Sequence, residues 1–197
     1  MVKNDQIFTP HSIAKILTSF IDNRVSKTVL EPSCGNGVIL SLLNPKHNID
    51  AIDISKSLID QNKKDYPKMN FKHEDFTKFK TTKKYDYIIG NPPYVRIQDM
   101  DKDTYSRIKQ EYPEYITGNS NLYLYFILRS LEMLKKNGKV IFIIPNSWLY
   151  NKSMIKFKEK LIHHVETIID FKDKCIFKDV LTYIYFFDMV KLDFSKL

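Results

Sequence analysis

Residues 28–37 read Thr28-Val29-Leu30-Glu31-Pro32-Ser33-Cys34-Gly35-Asn36-Gly37. A short apolar strand, Thr28-Val29-Leu30, runs into a loop holding two of the chain's five glycines. Helical patterning is expected from Gly37 to Leu43. Glycine admits positive φ and lets a ligand approach the backbone closely. The loop has neither the GxGxxG of dinucleotide folds nor the GK[ST] of a phosphate loop, and no lysine stands ready to hold a phosphate. An acid, Glu31, ends the strand instead. It suits a ligand carrying a positive group, such as the ammonium of an amino-acid moiety. A plain strand-to-helix turn would read the same way.

Outward from this unit, apolar runs alternate with helical patterns. A helix is expected over His11–Ile21, with Ile13, Ile16, Leu17 and Phe20 on one side. Strands are expected at Ile49–Ile52, Met69–Lys72, Tyr87–Ile89 and Val140–Ile144, and helices at Ser55–Lys64, Asn121–Lys136 and Met154–Ile162. Gly138 stands where a helix C-terminus favours glycine. Val165–Phe171 and Leu181–Phe187 read as an antiparallel closing pair. Arg96–Ser120 is polar and reads as a long loop, the kind that often serves as a lid or binding loop. Strands alternating with helices imply a mostly parallel seven-stranded α/β sheet covered on both faces. Ligands in such folds bind outside the carboxyl ends of the strands, where strand order reverses.

The candidate chemistry follows the strands. Asp53, with Ile54 beside it, ends the second strand; it can accept hydrogen bonds from ribose hydroxyls or cap the following helix. Asp75-Phe76 follows the third strand, where a carboxylate beside a ring can hold an adenine. Glu31, Asp53 and Asp75 together outline a site for an adenosine that carries an amino acid.

Gly90-Asn91-Pro92-Pro93-Tyr94 follows the fourth strand. Two prolines fix φ and remove two amide donors, so the backbone is stiff and rich in carbonyl acceptors. The lone pair of an adenine amino group is delocalised into the ring. Two acceptors aimed at its protons favour a pyramidal nitrogen whose lone pair faces a methyl donor. The Asn91 side-chain oxygen and the Pro92 carbonyl suit that task, Pro93 stiffens the element, and Tyr94 can stack on a base that has left its helix.

Other chemistries find less support. The two cysteines, Cys34 and Cys175, form no disulfide framework and no CxxC metal site, which fits a reducing cytoplasm. Neither stands after a proline as the nucleophile of a cytosine C5 methylase would. The five histidines show no metal spacing, so no metal is expected. No apolar run reaches the roughly 18 residues of a membrane span, so no membrane partner is expected. The formal charge of +8 fits attraction to a polyanion, and equally fits a lysine-rich composition.

These motifs in this order resemble the amino-group DNA methyltransferases of the gamma arrangement, the N6-adenine type found in restriction–modification systems. The resemblance runs from Phe8 to about Phe187. It implies the class I S-adenosylmethionine-dependent (Rossmann-like) methyltransferase fold, with S-adenosyl-L-methionine as cofactor and double-stranded DNA as substrate. It further implies that Phe8-Thr9-Pro10 lies at the cofactor's methionine end. Glu31, Pro32, Cys34 and Gly35 would form the cofactor loop, with Asp53 and Ile54 at the ribose and Asp75 and Phe76 at the adenine. Asn91, Pro92, Pro93 and Tyr94 match the catalytic motif. Phe177, in Phe177-Lys178-Asp179-Val180-Leu181-Thr182, would pack against the flipped base. The family places target recognition after the catalytic motif. The expectation is therefore one catalytic domain over residues 1–197, with recognition supplied by a partner chain, a C-terminal domain or the Arg96–Ser120 loop.

Three alternatives share these features: a methylase of a protein glutamine amide, a methylase of an RNA base, and a non-catalytic cofactor-binding subunit.

Overall fold

Apolar residues fill the central strands almost continuously, as strands buried on both faces require. In the computed structural model, which describes residues 8–145, 155–161, 165–170 and 184–190, these side chains alternate between two cores. Leu30, Ile52, Ile88, Val140 and Phe142 point to one side. Val29, Ile49, Ala51, Tyr87, Ile89 and Ile141 point to the other. The strands are β1 (Thr28–Glu31), β2 (Asn48–Asp53), β3 (Asn70–His73), β4 (Tyr85–Gly90), β5 (Leu134–Pro145), β6 (Val165–Asp170) and β7 (Ile184–Val190). They form one seven-stranded sheet in the order β3-β2-β1-β4-β5-β7-β6. The expected antiparallel closing pair is β6 with β7, at the end of the sheet. β7 is antiparallel to both β5 and β6, so it is an inserted strand rather than the sheet edge.

The helices split between the faces. α1 (His11–Ser19) and α2 (Lys56–Asp65) bury Ile13, Leu17 and Ile59 in the second core. α3 (Lys102–Glu111), α4 (Leu122–Glu132) and α5 (Ile155–Leu161) pack into the first. α4 is buried almost all round, including Tyr123, Leu124 and Tyr125 at 0% exposure, as expected of a helix apolar on every side. Each such side chain contributes roughly 1.5–3 kcal/mol of transfer free energy.

Three local expectations are corrected. Gly37–Leu43 forms only a short 3-10 turn, Leu40–Leu42. Gly37 takes φ +75°, and the Ser41 hydroxyl donates to the Val38 carbonyl at 2.7 Å, a local bond that competes with the helical ladder. The polar stretch after the proline pair is not one loop. Asp101 caps α3 by accepting from the Thr104 amide at 2.9 Å, and the helix buries Thr104 and Ile108, one turn apart. Finally, α4 ends at Glu132 rather than Lys136. The Tyr85 amide donates to the Met133 carbonyl at 2.9 Å, so the chain has already joined the sheet. Gly138 therefore lies inside β5 instead of capping a helix, while Asn137 takes the left-handed φ of 61°.

The topology fixes the site's position. β2 pairs with one side of β1 and β4 with the other, both parallel. Strand order reverses there, and the carboxyl ends of β1, β2 and β4 stand together.

A Cβ at Gly138 would fall 2.8 Å from the Tyr85 carbonyl, 3.1 Å from that of Lys135 and 3.2 Å from that of Asp86. All three are backbone atoms that cannot rotate away. Gly138→Ala should therefore destabilise the protein by about 1–3 kcal/mol in chemical denaturation. A shift below a few tenths of a kcal/mol would contradict this packing.

Candidate active site

A cavity of about 590 Å³ opens at the strand-order reversal, a volume suited to a nucleoside-sized ligand. One wall comes from the loop after β1, through Pro32, Ser33 and Gly35. Asp53 and Ile54 after β2, and Glu74, Asp75 and Phe76 after β3, form the second. Asn91, Pro92, Pro93 and Tyr94 after β4 form the third. Four separate stretches of the sequence reading thus meet around one space.

The loop after β1 is held by the strands beside it. The Cys34 amide donates to the Ile52 carbonyl at 2.9 Å, and the Ser33 hydroxyl donates to the Asn91 carbonyl at 3.1 Å. The Asp53 carboxylate receives the Gly35 amide at 2.7 Å and the Ser55 amide at 2.8 Å. Asp53 is thus a loop staple that also faces the cavity. It is not the cap of α2, whose N-cap position is Ser55. Gly35 takes φ +50°, and a Cβ there would meet the Phe8 ring at 3.5 Å. Asn62 of α2 supports the loop from behind, donating to the Gly35 carbonyl at 2.9 Å.

Thr9, Pro10, Glu31 and Cys34 do not line the cavity. Pro10 accepts the Ile13 and Ala14 amides at the start of α1, both at 3.0 Å. Cys34 is buried, and its thiol is pushed far above its usual range by burial and then by Glu31 and Asp53, so it is not a nucleophile. Glu31 is 2% exposed, and its Oε2 is buried with no hydrogen-bond partner. Burial first, and the Asp53 charge second, raise its carboxyl well above the ordinary glutamate value. An unpartnered buried carboxyl at a strand's end is costly unless a cation or donor meets it.

The Asn91-Pro92-Pro93-Tyr94 element is held by its own hydrogen bonds. The Tyr94 hydroxyl donates to Asn91 Oδ1 at 2.6 Å and also lies 3.1 Å from the Ile143 carbonyl. The Tyr94 ring meets Tyr123 edge-on with centroids 6.1 Å apart. Burial, with Tyr123 beside it, holds the Tyr94 phenol above its usual range, so it remains a donor. Phe76 packs against Phe126 at 4.6 Å between centroids, which fixes its ring at the cavity wall. Phe177 lies outside the described residues.

Several lining residues were not singled out from the sequence. Asp99, Met100 and Asp101 form the mouth, and Leu122 and Phe126 of α4 the floor. Leu122 and Phe126 are one helical turn apart, a signal present in the sequence but shared by every buried face of α4. Asp99 and Asp101 had no signal beyond closeness to the proline pair. Among the described residues, the cavity lining includes Asp53, Glu74, Asp75, Asp99 and Asp101 and no lysine, arginine or histidine. Such a lining favours a cationic ligand and disfavours a free phosphate. Arg107, within the Arg96–Ser120 stretch, turns inward to Thr77.

A family model for the Eco57I restriction-modification methylases matches residues 22–177. The Type II methyltransferase M.AccI of Acinetobacter calcoaceticus is 33% identical over 190 residues, covering 90% of this chain and 35% of that protein. The tRNA1(Val) (adenine(37)-N6)-methyltransferase of Flavobacteriaceae bacterium (strain 3519-10) is 27% identical, covering 73% of this chain and 62% of its own. The chain therefore spans about a third of the first of these proteins. Among solved structures, a Listeria monocytogenes protein assigned to the class I S-adenosylmethionine-dependent methyltransferases superposes with a TM-score of 0.78. It shares 19% identity and covers 95% of this chain and 62% of its own, which identifies the fold.

The buried Glu31 carboxyl has a consequence for pH. Its folded-state pKa lies above the ordinary value of 4.5, so its protonated form favours folding. That contribution is complete below the unfolded value and is lost as pH rises through the folded one. In ligand-free protein, Glu31→Gln should remove this decline, seen as a flatter profile of denaturation midpoint against pH above 4.5. An identical profile for the variant would mean that Glu31 carries no such burden.

Proposed function

The chain belongs to the Eco57I restriction-modification methylase family, and from that premise we propose that it transfers a methyl group from S-adenosyl-L-methionine to the exocyclic N6 of an adenine flipped out of double-stranded DNA. One observation carries this reading. Asn91-Pro92-Pro93-Tyr94 lies across a single cavity from Asp53, Asp75 and Phe76. A reactive amine and an adenosine-bearing donor would meet in that space. Fewer elements would serve a binding scaffold.

The residues present fit the cofactor. Glu31, at the end of β1 beside the cavity-lining Pro32, has a buried Oε2 without a hydrogen-bond partner, which an ammonium would satisfy. Gly35 keeps the loop backbone open to a ligand, Asp53 faces the position of a ribose, and Asp75 and Phe76 that of an adenine. The acidic lining matches a ligand with a net positive charge. Bound there, S-adenosyl-L-methionine would supply a methyl group already activated on a sulfonium.

The chain's own residues then have a narrow task. Asn91 Oδ1 has two lone pairs, and the Tyr94 hydroxyl takes one. This bond fixes the rotation of the carboxamide with its oxygen on the Tyr94 hydroxyl. Asn91 Oδ1 and the Pro92 carbonyl would accept hydrogen bonds from the two N6–H groups, drawing the nitrogen lone pair out of conjugation; one of these protons would be released to solvent after transfer and the other kept. The Tyr94 ring stacks on the extruded base. Pro93 removes an amide donor that would compete for these acceptors. Positioning supplies much of the rate, and no covalent enzyme intermediate is needed. The site of modification, the place within a restriction–modification system and the supply of target recognition by a C-terminal region or a partner chain all belong to this proposal. So does the cytoplasm as its location.

The tRNA adenine methylase among the relatives names an RNA substrate for a chain of similar sequence. Labelled methyl transfer to unmethylated DNA, to tRNA and to protein, assayed side by side, separates these readings. The expected product is N6-methyladenine in DNA. Label confined to RNA or to protein would overturn the DNA assignment.

Asn91→Ala should lower turnover by at least roughly 10²-fold while cofactor affinity stays within a factor of two or so. Near-normal turnover would remove Asn91 from the chemistry. Asp53→Ala should weaken cofactor binding by roughly tenfold or more in calorimetry, through loss of its charge-assisted bonds. An unchanged dissociation constant would remove Asp53 from the site.

A further inference from the structure

The turn that carries Asp75 and Phe76 is gripped from outside the cofactor loops. Its amides are satisfied locally: the Thr77 amide donates to Asp75 Oδ1 at 2.8 Å, and those of Lys78 and Phe79 donate to the Asp75 carbonyl at 2.8 and 3.1 Å. The Thr77 and Phe79 carbonyls face the other way, towards α3 and α4. The Arg107 guanidinium of α3 donates to the Thr77 carbonyl and, at 2.9 Å, to the Thr77 hydroxyl. The Tyr125 hydroxyl of α4 lies 3.1 Å from the same carbonyl and donates to Glu111 of α3 at 2.6 Å. Arg129 of α4 donates to the Phe79 carbonyl at 3.1 Å. Thr77 is only 4% exposed, so Arg107 delivers a charge-assisted, two-point bond at a largely desolvated position.

α3 also meets the cavity. Its N-cap Asp101, with the half-buried Met100 and the exposed Asp99 just before it, belongs to the lining. Arg107 lies on the second turn of the same helix. A ten-residue helix thus joins this part of the mouth to the turn after Asp75. The proline pair fixes where the segment departs, and the buried Ile97 and Ile108 seat it on the first core.

We propose that Arg107 is a positioning residue for the nucleoside end of the site, acting through Thr77 so that α3 is a strut between the cavity mouth and the Asp75-Phe76 turn. The assignment of that turn to the cofactor's adenine rests on the function proposed above. The strut itself rests only on the hydrogen bonds and burial described here. It makes the segment after the catalytic motif part of the cofactor site, although none of its basic residues lines the cavity.

The test compares the wild-type protein with Arg107→Ala and Arg107→Lys, each checked for folding by circular dichroism. Amide hydrogen exchange is measured without ligand, and binding of S-adenosylmethionine and of adenosine alone by calorimetry. In Arg107→Ala, the Thr77, Lys78 and Phe79 amides should exchange faster. Both ligands should weaken by a similar factor of roughly ten or more, the scale of a lost charge-assisted bond. Arg107→Lys, which can reach only one acceptor at a time, should recover part of both effects. A merely structural role would not confine the exchange change to this turn or scale the two ligands alike. Unchanged exchange at these amides would overturn the proposal. So would weakening of S-adenosylmethionine alone with adenosine unaffected. If Arg107→Ala does not fold, the same criteria apply to Arg107→Lys. Failure of the wild-type protein to bind either ligand would instead overturn the cofactor reading, and the exchange data would still decide the strut.

Discussion

The parallel pairing of β1 with β2 on one side and β4 on the other is the constraint on which the site depends. A parallel pair cannot be closed by a tight hairpin, so each strand must hand its carboxyl end to a crossover. Three such ends, and the turn after β3, therefore open on the same edge of the sheet. The registers Glu31 with Ala51 and Leu30 with Ile88 bring the ends nearly level. Acids that are distant in sequence thereby share one space. Apolar burial on both faces pins the register, because a one-residue slip would turn each core side chain to the wrong face.

Within this frame, the two halves of the cavity are stabilised differently. The cofactor-loop half relies on backbone amides captured by Asp53 and on Asn62 behind the loop. An expensive feature there is Glu31, a buried carboxyl whose Oε2 has no hydrogen-bond partner. Groups of this kind persist where function requires them, since an apolar residue of similar shape would be more stable. The Asn91–Tyr94 half relies on stiffness: the proline pair fixes the backbone, and the Tyr94 hydroxyl fixes the amide of Asn91.

Between the halves, α3 and α4 supply more than cover. Their polar side chains take up the carbonyls of the turn after Asp75, and these groups would otherwise be buried without donors. That explains why Arg107 and Arg129 are drawn inward in a chain with a formal charge of +8. A positive residue in a polar stretch is not evidence of a nucleic-acid surface when a buried carbonyl lies within its reach.

The sequence by itself determined the layout of the fold and the chemistry of the motif. Strands of continuous apolar residues between amphipathic helices permit little besides a covered parallel sheet. Asn91-Pro92-Pro93-Tyr94 carries its stiffness and its acceptors in its covalent structure. Both are local properties, readable from neighbouring residues. The tertiary structure alone decided the rest. It placed β7 between β5 and β6, ended α4 at Glu132 because the Tyr85 amide captured Met133, and made a helix of residues whose apolar face is little more than Thr104 and Ile108. It also left Glu31 unpartnered and turned Arg107 onto Thr77. Each of these outcomes depends on which atoms long-range contact brings near a polar group, and no spacing along the chain encodes that distance.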